Sequence, residues 1–312
     1  MSVNEILDCT KLLTKYNPDS IWIPETWGMD CGSMLSAISQ IAEKPKIGSS
    51  IINVYSRTPS LVAMNAVTID ALSKGRLILG LGVSSKAIVE EWHGLKFEQP
   101  LQRMREYVEI IRQIISGNKV TYDGKFFHLR NFNLLIKPIR KEIPIYIAAI
   151  NQKMTELVWD IGDGVIFYLR PQEEMQNTIT KMQKKRKIDV TCQLITCVSE
   201  DVEKAITRAK KTISFYVSVG KIYREFLAKN GYEKETSEIF NEYTKSGSDE
   251  TYRYVSDSML NSLALCGTPN DLPKKLEQFS RAGIDLPILQ FNPIGNVTES
   301  FKLLVSTLKG DM

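Results

Sequence analysis

The stretch "RTPSLVAMNAVTIDALSKGRLILGLGVSS", Arg57 to Ser85, decides the fold. Pro59 suits the first turn of a helix, and Leu61, Met64, Thr68 and Leu72 recur on one face of it. Gly75 supplies a left-handed stop. "RLILGLG", Arg76 to Gly82, then follows as a near-continuous apolar strand, the pattern of a strand covered by helices on both faces, as in a parallel sheet. Gly80 and Gly82 allow close backbone approach. Val83 and Ser84, at the strand end, offer small side chains and free amides where such a strand meets a ligand.

The alternation continues outward in both directions. Strands are predicted at Asp19–Pro24, Lys46–Val54, Ile143–Ala149, Gly164–Tyr168, Asp189–Val198 and Leu286–Phe291. Helices are predicted at Ser33–Glu43 with Ser33 as N-cap, Pro100–Gly117, Gln152–Ile161, Gln172–Lys184 and Thr268–Gly283 with Thr268 as cap. "KVTYDGKFFHL" reads as a hairpin with Asp-Gly at its tip. A long polar helical stretch, about 201–265, reads as an insertion before the last unit. Strands alternating with helices over short loops favour parallel, right-handed units. The expected class is an α/β, (β/α)8 TIM barrel forming a single domain over residues 1–312. Seven strands are counted where eight close a barrel, and the chain opens on a helix, so the first strand is the absent unit.

Composition narrows the chemistry. Of 312 residues, 43% are hydrophobic and 24% charged, ordinary for a globular chain. No run of about 18 apolar residues suggests a membrane helix, and no signal peptide is evident at the start. The five cysteines include no Cys-x-x-Cys pair, so neither a disulfide framework nor a zinc site is indicated, and a reducing cytoplasm is expected. There are two histidines, His93 and His128, both at turn or hairpin positions. Hydrolytic triads and histidine-rich metal sites are therefore poorly served, and a cofactor is expected to carry any chemistry. The net charge is +4, and the basic run Lys184 to Lys187 reads as a solvated helix end rather than a nucleic-acid patch.

Four stretches together resemble the bacterial luciferase-like superfamily of (β/α) barrels that bind flavin or deazaflavin. They are "SRTPSLVAMNAVTIDALSKGRLILGLG", "WHGLKFEQPLQRMREYVEIIRQIISG", "IPIYIAAINQKMTELVWDIGDGVIF" and "LCGTPNDLPKKLEQFSRAGID". "INVYSRTP", "NQKM" and "FNPIGN" resemble the methylenetetrahydromethanopterin reductase branch, which uses coenzyme F420.

The resemblance implies hydride transfer between reduced F420 and a one-carbon pterin. The alternatives are an FMN-dependent monooxygenase and a non-catalytic flavin or deazaflavin binder. It also implies a homodimer or higher homo-oligomer. It places a bulge with a non-proline cis peptide at Ser50–Ile51, where the family usually has glycine in place of Ser50. The cofactor set it implies is Ser50, Ile51, Asn53, Arg57, Val83 and Ser84, with Ala149, Ile150, Asn151, Gln152 and Lys153 on the phosphate side. Glu25 takes the place of the family's acidic residue after the second strand and is the candidate catalytic group. Two departures stand out: the family's first strand, with its glutamate, is missing, and Ser85 stands where the reductase has an aspartate.

Overall fold

The computed structural model describes residues 1–308, which divide into two compact units, one over residues 2–166 and one over residues 167–308 with Met1. Among the described residues no helix is long and apolar enough to cross a membrane.

The first unit alternates helices and parallel strands in chain order: α1 (Val3–Leu13), β1 (Ser20–Ile23), α2 (Cys31–Ile41), β2 (Lys46–Ser49), β3 (Ile52–Asn53), α3 (Pro59–Leu72), β4 (Leu77–Gly82) and α4 (Pro100–Ile115). A hairpin of β5 (Val120–Asp123) and β6 (His128–Phe132) follows, then β7 (Ile145–Ala148), α5 (Gln152–Ile161) and β8 (Gly164–Tyr168), which runs past the unit's end. The order across the sheet is β1-β2-β4-β7-β8, all parallel. Among the described residues no strand precedes α1, and β1 pairs only with β2, as the absence of a first strand requires.

The predicted strand Lys46–Val54 is interrupted. It breaks into β2 and β3 at Ser50 and Ile51, and the Ser50–Ile51 peptide is cis. β3 re-pairs with β4 one level higher, Ile52 opposite Leu81 and Asn53 opposite Gly82. Ser49 fastens the break: its Oγ donates to the Gly80 carbonyl and accepts from the Gly80 amide, both at 2.8 Å. A Cβ on Gly80 would overlap the Ser49 carbonyl oxygen, so the backbones of β2 and β4 touch here only because residue 80 is glycine. Lower in the sheet, glycine faces a ring twice, Gly48 under Trp22 and Gly164 under Tyr146, so bulky and empty positions interlock.

Two local expectations are corrected here. α2 begins at Cys31 with Asp30 as N-cap, and Ser33 is the residue whose amide is capped, at 2.6 Å. The stripe Leu61, Met64 and Leu72 of α3 lies on the exposed face, at 50%, 46% and 43% exposure, while Val62, Ala63, Ala66, Val67 and Ile69 are buried. This helix is apolar on most sides, so periodicity alone could not choose its inner face. α4, with charged residues on its outer side, buries Met104, Val108, Ile111 and Ile115 as its spacing dictates.

The second unit contains α6 (Gln172–Gln183), β9 (Asp189–Val198), α7 (Val202–Val219), α8 (Lys221–Leu227), α9 (Glu233–Ser246), α10 (Asp257–Leu263), β10 (Ala264–Gly267), α11 (Leu272–Arg281), β11 (Leu286–Phe291) and α12 (Val297–Thr307). β10 and β11 each pair with β9 in parallel. Helices α7 to α10 are the predicted insertion, packed around Ile213, Val217, Leu227, Ile239, Val255 and Met259. β10 lies at the end of the stretch expected to be helical, about 201–265, yet it adds four residues to the sheet. α11 starts at Leu272, not Thr268. Thr268 instead donates its amide and hydroxyl to the Asp271 carboxylate, at 2.9 and 2.7 Å, in the turn before the helix.

Candidate active site

Within the first unit, the C-terminal ends of β1, β3 and β4 open into a cavity of about 350 Å³. Its wall comprises the β1–α2 loop from Glu25 to Asp30 together with Asn53, Ser56, Arg57, Ser84, Ile88 and His93. Strand ends fix the level of the wall. Asn53 is opposite Gly82 in the β3–β4 register, and a Cβ on Gly82 would stand 2.5 Å from Ile51 and 3.4 Å from the Ala148 methyl. The Ile51 side chain thus packs directly over Gly82, in the space that a larger residue there would need.

Asn53 is the informative residue. It is 4% exposed, its Oδ1 accepts from the Tyr55 amide at 2.9 Å, and its Nδ2 has no partner. An unpaired buried amide donor costs about 1–3 kcal/mol, and a bound acceptor atom removes that cost. Tyr55 holds the neighbouring backbone: its hydroxyl donates to the Glu98 carbonyl at 2.9 Å, and its ring stacks on Phe97 and lies under Arg103.

Arg57 sits between two carboxylates. Its Nη2 is 2.8 Å from Glu25 Oε2 and also pairs with Asp30. The Tyr107 hydroxyl donates to the Arg57 carbonyl at 3.1 Å. Partial burial pushes the Asp30 carboxyl up, but the Ser33 hydroxyl and amide and the Arg57 guanidinium outweigh it and hold the group below its ordinary value. Glu25 Oε2 also accepts from the Cys31 amide at 3.1 Å, so both contacts fall on one oxygen. The charge of Arg57 is therefore already matched within the cavity, by one carboxylate more than it needs.

Of the residues expected from sequence, Glu25, Asn53, Arg57 and Ser84 line this cavity. Ser84 takes the left-handed conformation, φ +59°. Ser50, Ile51 and Val83 adjoin it in the chain without lining it. The segment Ala149–Lys153 leaves β7 and starts α5: Asn151 caps the Met154 amide at 2.9 Å, the Ala149 amide is bonded to the Ile166 carbonyl, and Gln152 reaches Glu156. None of the five lines the cavity. Trp27, Asp30 and His93 were not anticipated as wall residues. Asp30 carries an N-cap signal three residues before Ser33, and Trp27 stands out as an apolar ring in a polar loop.

The family model described as luciferase-like monooxygenase matches residues 1–286. The chain belongs to that family. A 5,10-methylenetetrahydromethanopterin reductase from Archaeoglobus fulgidus is 30% identical over 307 residues, covering 95% of this chain and 91% of the relative. A putative coenzyme F420-dependent oxidoreductase of Mycobacterium tuberculosis is 27% identical, covering 87% of this chain and 86% of that one. Among solved structures, the coenzyme F420-dependent tetrahydromethanopterin reductase from Methanopyrus kandleri superposes with a TM-score of 0.86 at 22% identity, covering 98% of this chain and 95% of the other. That agreement establishes the luciferase-type (β/α) barrel fold.

Proposed function

We propose that this luciferase-like chain is an F420-dependent oxidoreductase that moves a hydride between reduced deazaflavin and a one-carbon pterin; two of its relatives are named 5,10-methylenetetrahydromethanopterin reductase. The observation that carries the reading is the buried, unpaired Asn53 Nδ2 in the cavity wall, opposite Gly82 in the strand register. A deazaflavin or flavin ring offers carbonyl oxygens as acceptors for that donor, so the residues present fit the group. F420 is favoured over FMN because three relatives at 25–30% identity carry F420 or its pterin partner in their names.

When bound, a reduced deazaflavin supplies the hydride and most of the electronics. The protein's part is alignment and water exclusion. Asn53 holds a ring acceptor from the strand side. Ile51, packed over Gly82, backs the ring from the strand side. Ser50, Val83 and Ser84 supply backbone beside it. The start of α5, from Ala149 to Lys153, takes the phosphate-bearing arm. Glu25 Oε1 accepts an N–H of the pterin, while its Oε2 keeps Arg57 in place. Arg57 acts through this pair as a positioning residue.

Self-association into a homodimer belongs to the same reading. α2 has no charged residue, and α3 has only Asp70, which is buried. The two helices approach closely, Gly32 against the Asn65 amide, so an uncharged outer face bearing Leu61, Met64 and Leu72 is continuous across them.

The test is titration of the purified protein with F420 and with FMN, followed by absorbance. Saturable binding of F420 with markedly weaker FMN supports the proposal; an FMN spectrum in the purified protein overturns it.

A further inference from the structure

Two tryptophans stand at the rim of the cavity. Trp27 belongs to its wall, in the β1–α2 loop. Trp92 ends the π-helical turn Ile88–Trp92 and lies between two wall residues, Ile88 and His93. Their rings meet edge to face with centroids 5.0 Å apart, yet they stay 58% and 53% exposed. Two large rings that touch each other and still face water mark a place where something flat is received.

The charge beneath the rings is specific. The cavity wall carries two carboxylates, Glu25 and Asp30, against one guanidinium, Arg57. Glu25 turns its Oε2 to both Arg57 and the Cys31 amide. Carboxylate excess and exposed indole faces favour the same chemistry, a flat ring bearing positive charge and N–H donors. A hydride acceptor must be electron-poor, and a ring nitrogen joined to a one-carbon unit becomes so as a C=N⁺ cation.

We propose that Trp27 and Trp92 form the outer wall of the hydride acceptor's seat and select a planar nitrogen heterocycle in its cationic form. This rests on the hydride-transfer reading above. The acceptor ring stacks on Trp27, Trp92 braces Trp27 from the edge, and Glu25 and Asp30 face the positive charge. The two tryptophans set specificity for the acceptor and take no part in holding the cofactor, whose ring is met by Asn53.

The experiment is titration calorimetry without F420, using two probes that differ in ring charge and share the same tail. One is 5,10-methenyltetrahydrofolate, a cation; the other is 5-methyltetrahydrofolate. Both are titrated into the wild-type protein and into Trp27→Leu, Trp27→Phe and Trp92→Leu. F420 affinity is measured separately for each. The cation is expected to bind wild type about tenfold more tightly than the uncharged ring. Trp27→Leu is expected to weaken it about tenfold, Trp27→Phe to restore most of the loss, and Trp92→Leu to fall between, with F420 affinity unchanged. Equal affinity for the two probes, or a cation affinity that Trp27→Leu leaves within twofold, overturns the inference even if F420 binds. Failure of F420 to bind overturns the functional reading instead, and the two folate probes still decide the tryptophan wall by themselves.

Discussion

Arg57 Nη2 lies 2.8 Å from Glu25 Oε2 and shares its charge with Asp30, so one guanidinium joins the loop after β3 to the loop after β1. The three groups are partly exposed, with Arg57 and Glu25 side chains at 22% and 13%. The pair therefore matters more for placement than for stability. Arg57→Gln should lower kcat/KM about tenfold or more, because misplacing a wall by about 1 Å is costly. Its melting temperature should move little. A loss of folding equal to the loss of activity would show the pair to be structural.

Asn53→Asp separates the two ends of one side chain. It keeps the oxygen that accepts from the Tyr55 amide and replaces the unpaired donor with an acceptor. Cofactor affinity should fall by about tenfold, the weight of one lost hydrogen bond to a buried partner with repulsion added, while the thermal transition shifts by a few degrees at most. Binding that survives unchanged would remove Asn53 from the site.

Gly80→Ala should abolish a stable fold. The added methyl would overlap the Ser49 carbonyl oxygen, and that atom belongs to backbone. Ser49→Ala is the milder companion. It removes two buried hydrogen bonds and should cost about 1–3 kcal/mol by denaturant titration, leaving the Gly80 amide and carbonyl unsatisfied.

Glu106 predicts how the hairpin responds to acid. Its side chain accepts from the Lys125 and Phe126 amides at the hairpin tip and from Gln102, each at 2.9 Å. Burial raises its carboxyl, but the Gln102 side chain and the hairpin amides outweigh that and hold it below the ordinary value. A depressed folded value means the stabilisation is complete above the unfolded pKa, about 4.3, and fades as pH falls through the lower folded value. The protection of the Lys125 and Phe126 amides against hydrogen exchange, relative to their intrinsic rates at each pH, should therefore fall on acidification below about pH 4. In Glu106→Gln the same amides should exchange faster already at neutral pH, with a flatter pH dependence.

Much of this was legible in the sequence for identifiable reasons. α5 and β8 begin and end where pattern placed them, since Gly162 and the polar–apolar switches around it leave no competing reading. The cis bond fell at Ser50–Ile51 as the family resemblance implied. The failures share a cause as well. α3 is apolar on opposing faces, so only packing could reveal that Leu61 and Met64 point outward. β10 is four apolar residues that suit a helix end equally well until β9 pairs with them. Trp27, Asp30 and His93 come from irregular loops, where spacing carries no register. Only the folded chain shows that Asp30 shares Arg57 with Glu25.

The exposed face of α3 makes a separate prediction. Leu61→Glu combined with Met64→Glu places charge on an otherwise uncharged helix surface. Light scattering should show a dimer in the wild type and a folded monomer in the double variant. A wild type that is monomeric across the micromolar range would contradict it.

The central claim is hydride transfer from the deazaflavin ring to the one-carbon unit of a pterin. The most direct measurement uses reduced F420 carrying deuterium at the transferring ring carbon, mixed with the protein and methylenetetrahydromethanopterin, with the product analysed by mass spectrometry. The account predicts that oxidised F420 and deuterated methyl product form in equal amounts, with one deuterium per product. Cofactor that stays reduced, or a methyl product that carries no label, would contradict it.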